Sequence, residues 1–505
     1  MNKNKQLIIN MAAQIIVFFV NTAIGFFVTP YLVNRLGSEA YGFIGLANNF
    51  VNYASLITIA LNSMAGRFMT LAIHTGDIKK ANGYFNSLLM SNVIIAAVMM
   101  IPSILCVAFI DKLINVPPYL LFDVRCTFAI VFLNFLLSTL QTAFGMGFFV
   151  RNKLYLNSLR IIESNILRIS VILLMFAFMQ PRITYMVIGS FASSIFIIIT
   201  NIYYTKKLLP ELKINKTQAS WRYVKELIAS GIWNCVTKLS QIFTSGLDLL
   251  VANLFIDAQA MGVLSLAKML PNVIVGFITS IAGVFSPSLT ILYAKNQIKE
   301  LISETKSAMK ILSVFSVIPN IILIVLGYNF FRLWVPSEDA HMLQILSVMT
   351  VINSCITGPI QPLYQIYTIT NKVKINSIVM IIYGVTSIVI TLIVLSLTDL
   401  GVYAIAGVSL VLSLVVSIVF HIPYTAKLLG MSRLTFFPEV IKSCLSCVII
   451  SAIGFGIKKI YDPQGWIGLI VMAIIIAGIG LVFNIFLVLN KREREIVYSK
   501  IRRKK

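Results

Sequence analysis

The sequence predicts an all-α protein that crosses a membrane many times. Of its 505 residues, 58% are hydrophobic, and the mean hydropathy is +0.91. Apolar runs of about 20 residues recur along the whole chain, and each is long enough to cross a bilayer as a helix. Backbone groups in lipid must be hydrogen-bonded within the protein, which leaves helices or a closed barrel. The runs are too long and too continuous for barrel strands, so we expect helices.

The order of the apolar runs predicts about 14 transmembrane helices. We place them near 7–33, 40–64, 86–110, 126–150, 160–180, 183–205, 229–256, 262–292, 310–333, 342–369, 375–398, 400–423, 440–460 and 465–489. The run after MNKNKQ is too long for a signal peptide and is interpreted as the first span. We expect an N-terminal six-helix lobe, a cytoplasmic amphipathic linker, a C-terminal six-helix lobe, an extra helix pair and a basic tail. Their bounds are 1–205, 206–228, 229–425, 426–490 and 491–505.

The distribution of the basic residues predicts the orientation. Most of the 41 Lys and Arg residues lie on the side that carries both termini. The opposite side has seven: Arg35, Lys112, Arg125, Arg182, Arg332, Lys458 and Lys459. Positive residues accumulate on the cytoplasmic side, so both termini are predicted to be cytoplasmic. The net charge of +23 is therefore mainly a topology signal, and we expect the tail to contact anionic lipid headgroups, not nucleic acid.

The linker carries one amphipathic stretch of its own. Trp221, Val224 and Ile228 recur at helical spacing beside charged residues, which predicts a helix lying on the membrane surface. The six cysteines lie in or near apolar runs, and Cys444 and Cys447 have no neighbouring Cys or His that would complete a metal site. We therefore expect helix packing from them, and no metal.

An internal repeat relates the two halves of the chain. The stretch YGFIGLA beginning at Tyr41 aligns with MGVLSLA beginning at Met261. At the same offset, with a slip of one position, NKLYLNS from Asn152 aligns with NKVKINS from Asn371. A series of matches at nearly constant offset indicates a duplication. Both copies begin inside and hold six spans, which predicts parallel repeats related by an axis along the membrane normal.

Polar stripes on four predicted spans suggest where the site lies. Lipid-facing polar side chains are costly, so these stripes are expected to line a hydrated cavity between two lobes. The alternative is tight helix packing through small polar residues. The stripes contain Gln14 and Asn21 on span 1, Asn48 and Asn52 on span 2, Asn234, Lys238, Gln241, Ser245 and Asp248 on span 7, and Lys268 and Asn272 on span 8.

Three cations lie deep in predicted spans. Lys268 and Asp248 share a depth, so they form either a structural ion pair or a binding cation beside an acid that tunes it. Lys238 is a second candidate cation, with snorkelling to the interface as its alternative. Arg168 is a third candidate, with the alternative that it belongs to a charged cluster with Arg160 and Glu163. The sequence has no Walker loop, HExxH or GxSxG motif, so we predict a transporter, not an enzyme, with no cofactor.

Three stretches resemble a known family. They are LVNRLGSEAYGFIGLANNF (32–50), MGVLSLAKMLPNVI from Met261, and FSPSLTILYA from Phe285. In these the chain resembles Wzx-type polysaccharide repeat-unit flippases of the multidrug/oligosaccharidyl-lipid/polysaccharide exporter superfamily. The resemblance implies alternating access and an undecaprenyl-diphosphate-type lipid-linked oligosaccharide. This substrate would cross a prokaryotic cytoplasmic membrane for cell-surface polysaccharide export, such as O-antigen or capsule. It also implies contact with membrane lipids and with polysaccharide assembly proteins.

Three alternatives stay open. A peptidoglycan lipid-precursor flippase would carry cavity arginines; Lys268 stands at a similar place, but span 1 has none. A cation-coupled multidrug antiporter would use acidic residues in the first lobe, whereas predicted spans 1 and 2 contain no Asp or Glu. A membrane-embedded glycosyl polymerase or ligase would have a large outer loop. The coupling ion, H⁺ or Na⁺ if there is one, is not determined by the sequence.

Overall fold

The computed structural model describes residues 3–151, 153–283, 285–370 and 372–488. Every regular element among these residues is a helix, which confirms the predicted all-α class. By compactness the chain divides into two units, Met1–Gly262 and Val263–Lys505. This grouping places the predicted seventh span with the six before it. The lobe boundary at 206–228 stays a prediction, and the basic tail 491–505 lies outside the described residues.

The first unit contains ten α-helices and the start of an eleventh. They are α1 (Lys3–Ala54), α2 (Leu56–Asn62), α3 (Ala65–His74), α4 (Ile78–Ala108), α5 (Ile110–Leu113), α6 (Leu121–Val150), α7 (Leu154–Phe178), α8 (Thr184–Leu208), α9 (Trp221–Gln241), α10 (Asp248–Phe255) and α11 (Ala258–Ala267). Within α1, Gly37 has φ 84° and ψ 162°, so two helical stretches meet there at a break. Glycine tolerates this positive φ because it has no Cβ. The break falls between predicted spans 1 and 2.

The second unit continues from α11. Its helices are α12 (Met269–Gly283), α13 (Ser286–Ala294), α14 (Ile298–Trp334), α15 (Ala340–Val351), α16 (Ser354–Thr357), α17 (Gln361–Ile369), α18 (Val373–Leu397), α19 (Val402–Val416), α20 (Ile422–Leu428), α21 (Phe437–Ile460) and α22 (Trp466–Leu487). Among the described residues, twelve helical segments are long and apolar enough to cross a membrane. The chain is therefore a multi-pass membrane protein, while the total of 14 spans and the position of the termini stay predictions.

The local backbone geometry agrees with the sequence repeat. Helices α4 and α14 begin at Ile78 and Ile298, which are related by the same offset as Tyr41 and Met261. Before each helix lies a residue with positive φ, Gly76 at 79° and Asn296 at 56°. Helices α7 and α18 both contain 25 residues, and they start within one position of that offset. The two halves thus share turn conformations as well as residue types.

The extra helix pair packs closely on α14. Buried side chains of α14, including Val317 and Ile321, form one core with Ile450 of α21 and with Met472 and Ile476 of α22. Two glycines permit the approach: a Cβ on Gly454 would lie 2.9 Å from a methyl group of Val325, and one on Gly480 would lie 3.2 Å from Ile318. The pair is therefore an integral part of the second unit.

The amphipathic stretch of the linker differs from the expectation. Trp221, Val224 and Ile228 are not in a separate surface helix, because α9 runs without interruption from Trp221 to Gln241. Ser220 caps its start by accepting a hydrogen bond from the Arg222 N–H at 3.3 Å. Val224 is buried against the core of α2, α3 and α4, whereas Trp221 and Ile228 are exposed, so contact of these two residues with lipid headgroups stays a prediction. Amphipathic spacing alone does not distinguish these two partners.

Candidate functional site

The polar stripe of the seventh predicted span is interrupted by a change of helix type. Helix α9 ends at Gln241, residues Ile242–Gly246 form one π-helical turn, and α10 begins at Asp248. A π turn uses i→i+5 hydrogen bonds and rotates the next helix relative to a continuous α-helix. The expectation of a single face from Asn234 to Asp248 is therefore wrong beyond Gln241. The Ser245 side chain lies outside the described part of the chain.

A tyrosine of α1 stabilises this turn. The Tyr53 hydroxyl donates a hydrogen bond of 2.6 Å to the Gly246 carbonyl oxygen. Asp248 lies within electrostatic range of the same hydroxyl. The π turn thus brings the only acidic residue of the stripe next to α1. π turns within helices occur frequently at functional sites.

The α9 part of the stripe lies against α2. Gly231 allows the close approach, because a Cβ there would lie 1.9 Å from the Ala60 carbonyl oxygen. Asn234 Nδ2 donates to Ser63 Oγ at 3.1 Å, and both side chains are exposed. Lys238, one turn further, is half-buried, and Gln241 is exposed. Asn234 and Lys238 therefore present hydrogen-bond donors on one accessible surface of the first unit.

The remaining stripe residues are mostly accessible. Within membrane-spanning helices, exposed amides are costly in hydrocarbon, so an accessible polar stripe favours water-filled surroundings. The exposed ones are Asn21, Asn48 and Asn52 on α1 and Asn272 on α12. Lys268, between α11 and α12, is half-buried. The side chain of Gln14 lies outside the described residues, and the pairing of Asp248 with Lys268 stays a prediction.

A polar cavity inside the first unit brings two predicted site residues together. Asn48 of α1 and Arg168 of α7 both line a cavity of about 290 Å³ that is bounded also by α6 and α8. The sequence reasoning missed three further polar residues of its lining, Asn134, Ser138 and Ser190. Asn134 carried a signal, since it is an amide within the apolar stretch VFLNFLL of the fourth predicted span.

Arg168 is not part of the charged cluster considered as its alternative. Glu163 is paired with Arg160 at 2.6 Å on the same helix. None of the twelve residues that line the cavity, all of them described, is acidic. The Nε of Arg168 is buried without a hydrogen-bond partner among the described residues. The cavity therefore holds a positive charge without a matching carboxylate.

Metal binding has no visible basis in the described residues, which contain no group of three or more His, Cys, Asp or Glu side chains arranged to hold an ion. The arrangement that the structure does offer consists of cations and amides on membrane-spanning helices. Such groups bind anions and hydroxyls by charge-assisted and neutral hydrogen bonds.

Comparison with known proteins gives a coherent result. The chain is 28% identical to the "Uncharacterized membrane protein EpsK" of Bacillus subtilis (strain 168), over 98% of each chain. Its fold is similar to that of the lipid II flippase MurJ in an inward closed conformation, with a TM-score of 0.64 and 13% identity over 94% of this chain and 98% of that one. It is also similar to an inward-facing multidrug resistance MATE family transporter of the MOP superfamily, with a TM-score of 0.63 and 13% identity over 84% and 98%.

The sequence itself identifies the family. The model of the family described as "Polysaccharide biosynthesis protein" matches residues 7–292, which is more than half of the chain. This range contains the first two of the three stretches that carried the resemblance, and most of the third. With the fold of the flippases and transporters named above, this multi-pass membrane protein belongs to the polysaccharide biosynthesis protein family.

Proposed function

We propose that the protein is a flippase for a lipid-linked oligosaccharide. It moves an undecaprenyl-diphosphate-type carrier with its glycan from the inner to the outer leaflet of the cytoplasmic membrane, by alternating access. The observation that carries the proposal is the combination of the family match with a flippase-like fold over 94% of the chain. Surface polysaccharides are assembled on such carriers, so membrane lipids and polysaccharide assembly proteins are its expected surroundings.

The extra helix pair supports a lipid-linked substrate over a small drug. The similarity to the flippase covers 94% of this chain and the similarity to the multidrug transporter covers 84%. The difference, about a tenth of the chain, corresponds to the length of α21 and α22 with their connection, residues 437–487. Because this pair packs firmly on α14, it is a built part of the transporter. A lipid tail needs protein surface that a small drug does not.

The accessible donors of α9 fit the head of such a substrate. A diphosphate that leaves water for a partly apolar space loses hydration, and an ammonium group offsets part of that cost. Lys238 is half-buried one turn beyond the exposed amide of Asn234. In this proposal Lys238 of the first unit and Lys268 of the second are each cations for phosphate, while Asn234, Gln241, Asn272 and the amides of α1 bind sugar hydroxyls. Asp248 competes with the phosphates for the cation and assists release.

A second candidate substrate is a peptidoglycan lipid precursor, which the likeness to the lipid II flippase favours. The two substrates share the diphosphate and differ in the sugar part. A cation site alone therefore accepts both, and selection between them would come from the amides and the available space.

Transport by the purified full-length chain in proteoliposomes tests the proposal. The vesicles would contain a fluorescent polyprenyl-diphosphate oligosaccharide, lipid II or, in a third set, rhodamine 6G with an imposed proton gradient. An impermeant glycosidase or quencher added outside then reports which leaflet holds the lipid. We expect protein-dependent exchange of the oligosaccharide lipid. Exchange of lipid II alone would favour the second candidate, and rhodamine transport without lipid exchange would contradict both.

A further inference from the structure

The cavity around Arg168 is an internal feature that the proposed translocation does not require. It is lined by residues of α1, α6, α7 and α8 within the first unit. Arg168 lies well inside α7, a helix of 25 residues, so it is near the middle of a membrane-spanning segment. A charged side chain at that depth is costly unless water or an opposite charge compensates it. The charge of Arg168 is therefore compensated by water, by a carboxylate of the protein or by an anion from solution.

The carboxylates named below do not compensate the charge of Arg168. The acidic residue nearest in sequence, Glu163, is held by Arg160. Asp111 and Asp123, on the same unit, pair with Arg125 and Arg182. The residues lining the cavity, which are all described, include no Asp or Glu. A guanidinium whose buried Nε has no partner among the described residues is unfavourable, so an anion that enters the cavity with water would stabilise it.

The polar lining supplies donors for such a charge. Arg168 offers its Nε, which has no partner among the described residues, and its two terminal nitrogens. Asn134 faces the same space, and its Oδ1 also lacks a partner there. The reversed orientation of that amide would present its NH₂ group instead, since O and N are assigned from hydrogen bonding. The Asn48 amide uses one N–H for the Ile44 carbonyl at 2.9 Å and retains a second.

The two serines of the cavity lining, unlike the residues above, have no hydroxyl proton left to donate to a ligand. Ser138 Oγ donates to the Phe135 carbonyl oxygen at 2.8 Å, and Ser190 Oγ donates to the Met186 carbonyl oxygen at 2.9 Å. Each hydroxyl has only one proton, so these serines can serve the cavity only as acceptors. A hydrated ligand or one with hydroxyl groups suits this mixed lining better than a bare multivalent anion.

We propose that this cavity is a binding site for a monovalent anion, either chloride or the carboxylate of an acidic sugar. One guanidinium in a low-dielectric space is neutralised by one negative charge, whereas a divalent anion would leave an excess charge buried. The volume of about 290 Å³ accommodates a hydrated chloride ion as well as a single uronate residue. The site stands apart from the diphosphate binding proposed for α9, and it holds whether or not the protein flips lipids.

Anion-dependent thermal stability of the purified full-length protein tests this site. The protein in nanodiscs would be titrated with sodium chloride, sodium glucuronate, sodium sulfate and, as a neutral sugar, glucose, in a chloride-free sodium HEPES buffer. We expect chloride or glucuronate to raise the unfolding temperature in a saturable way, and glucose to leave it unchanged. A response to chloride identifies the inorganic source, and a response to glucuronate alone identifies the acidic sugar.

Variants test whether the anion that raises the unfolding temperature binds at Arg168. Arg168→Gln should weaken the anion affinity at least tenfold, and Arg168→Lys should retain part of it. Arg160→Gln is the matched control, because Arg160 lies on the same helix but outside the cavity. If Arg168→Gln does not fold, Asn134→Leu should still reduce the affinity. A flat titration of the wild-type protein, equal responses of wild type and Arg168→Gln, or a stronger response to sulfate would each overturn the proposal.

Discussion

Gly42 and Gly262 occupy equivalent positions in the two repeats, and they touch. A Cβ on Gly42 would lie 2.8 Å from the Gly262 Cα, and a Cβ on Gly262 would lie 2.3 Å from the Ser38 carbonyl oxygen. Both glycines are buried where α1 meets the start of α11. The same small residue is thus required twice, once in each copy, for a single close approach of two backbones.

We expect Gly262→Ala to lower stability by about 1–3 kcal/mol, because the added methyl group meets backbone atoms that cannot rotate away. The measurement is the unfolding temperature of the purified protein in detergent. Gly456→Ala is the matched control, since a Cβ at that helical position meets no atom within 4 Å. Equal unfolding temperatures for the two variants would show that α1 and α11 accommodate the added methyl group without a loss of stability.

Replacement of Lys238 should reduce transport. If its ammonium group binds the diphosphate, Lys238→Ala removes a charge-assisted hydrogen bond of about 1.5–3 kcal/mol, which corresponds to about a 10–150-fold loss of affinity. The lipid-exchange assay measures it, and Lys238→Arg should keep much of the rate. Lys299→Ala, an exposed lysine at the start of α14, provides the control. A fully active Lys238→Ala protein would show that Lys238 does not bind the substrate.

The predicted pair of Lys268 and Asp248 can be separated into its two roles by a double variant. Lys268→Ala should impair exchange under either role. In a purely structural pair, the additional change Asp248→Ala removes the remaining buried charge and restores activity. We expect a folded but inactive double variant, because the cation is needed by the substrate. Recovery of wild-type exchange would instead assign the pair to packing.

The N-terminal ends of α4 and α9 are joined by a hydrogen bond to a carboxylate, Glu226. The Tyr84 hydroxyl donates to Glu226 Oε2 at 2.5 Å, and this hydrogen bond lowers the pKa of the Glu226 carboxyl below its usual value, with a smaller contribution from Arg222. A lowered pKa in the folded state stabilises above the unfolded-state pKa, and the gain is lost as the pH falls through the folded-state value.

Two variants test this contact. Glu226→Gln should lower the unfolding temperature at pH 7 and flatten its decline towards pH 3. Tyr84→Phe, which removes one hydrogen bond, should cost about 1 kcal/mol at pH 7. Thermal unfolding between pH 3 and pH 8 gives both results. If the difference between wild type and Glu226→Gln stayed constant over that range, the carboxylate would not be the titrating group.

The orientation derived from the basic residues is testable with single cysteines. In a background without native cysteines, Lys112→Cys and Gln464→Cys should react with an impermeant thiol reagent in intact cells, while Thr217→Cys should react only after permeabilisation. All three positions are exposed, so accessibility within the protein does not limit the reaction. Labelling of Thr217→Cys alone in intact cells would reverse the assignment.

The helical class was predictable because apolar runs of about 20 residues recur along the chain. The repeat was predictable because matching stretches recur at a nearly constant offset. Asn48 and Arg168 were also named from sequence, since a polar or charged residue in an apolar span is conspicuous. Both were expected to line a cavity between the two lobes. Their meeting in a cavity inside the first unit was not predicted, because α1 and α7 are far apart in the chain. Asn134 was overlooked, although it is an amide in an apolar run.

The π turn escaped prediction for a different reason. The spacing from Asn234 to Asp248 continues through it as if the helix were regular. The change of register depends on backbone hydrogen bonds and on the contact between Tyr53 and Gly246, which come from separate parts of the chain. The continuity of α9 through Trp221 was missed likewise, because an amphipathic pattern fits a protein core as well as a membrane surface.

The length of α14 has a mechanical consequence. At 37 residues it measures about 55 Å, while the hydrocarbon core of a bilayer is about 30 Å thick. With the predicted orientation, its first turns project into the cytoplasm, where Lys306 pairs with Glu439 of α21 at 3.9 Å. Pro319 interrupts the hydrogen-bond ladder further along the helix. If α14 bends during transport, we therefore expect the bend at Pro319, within the membrane.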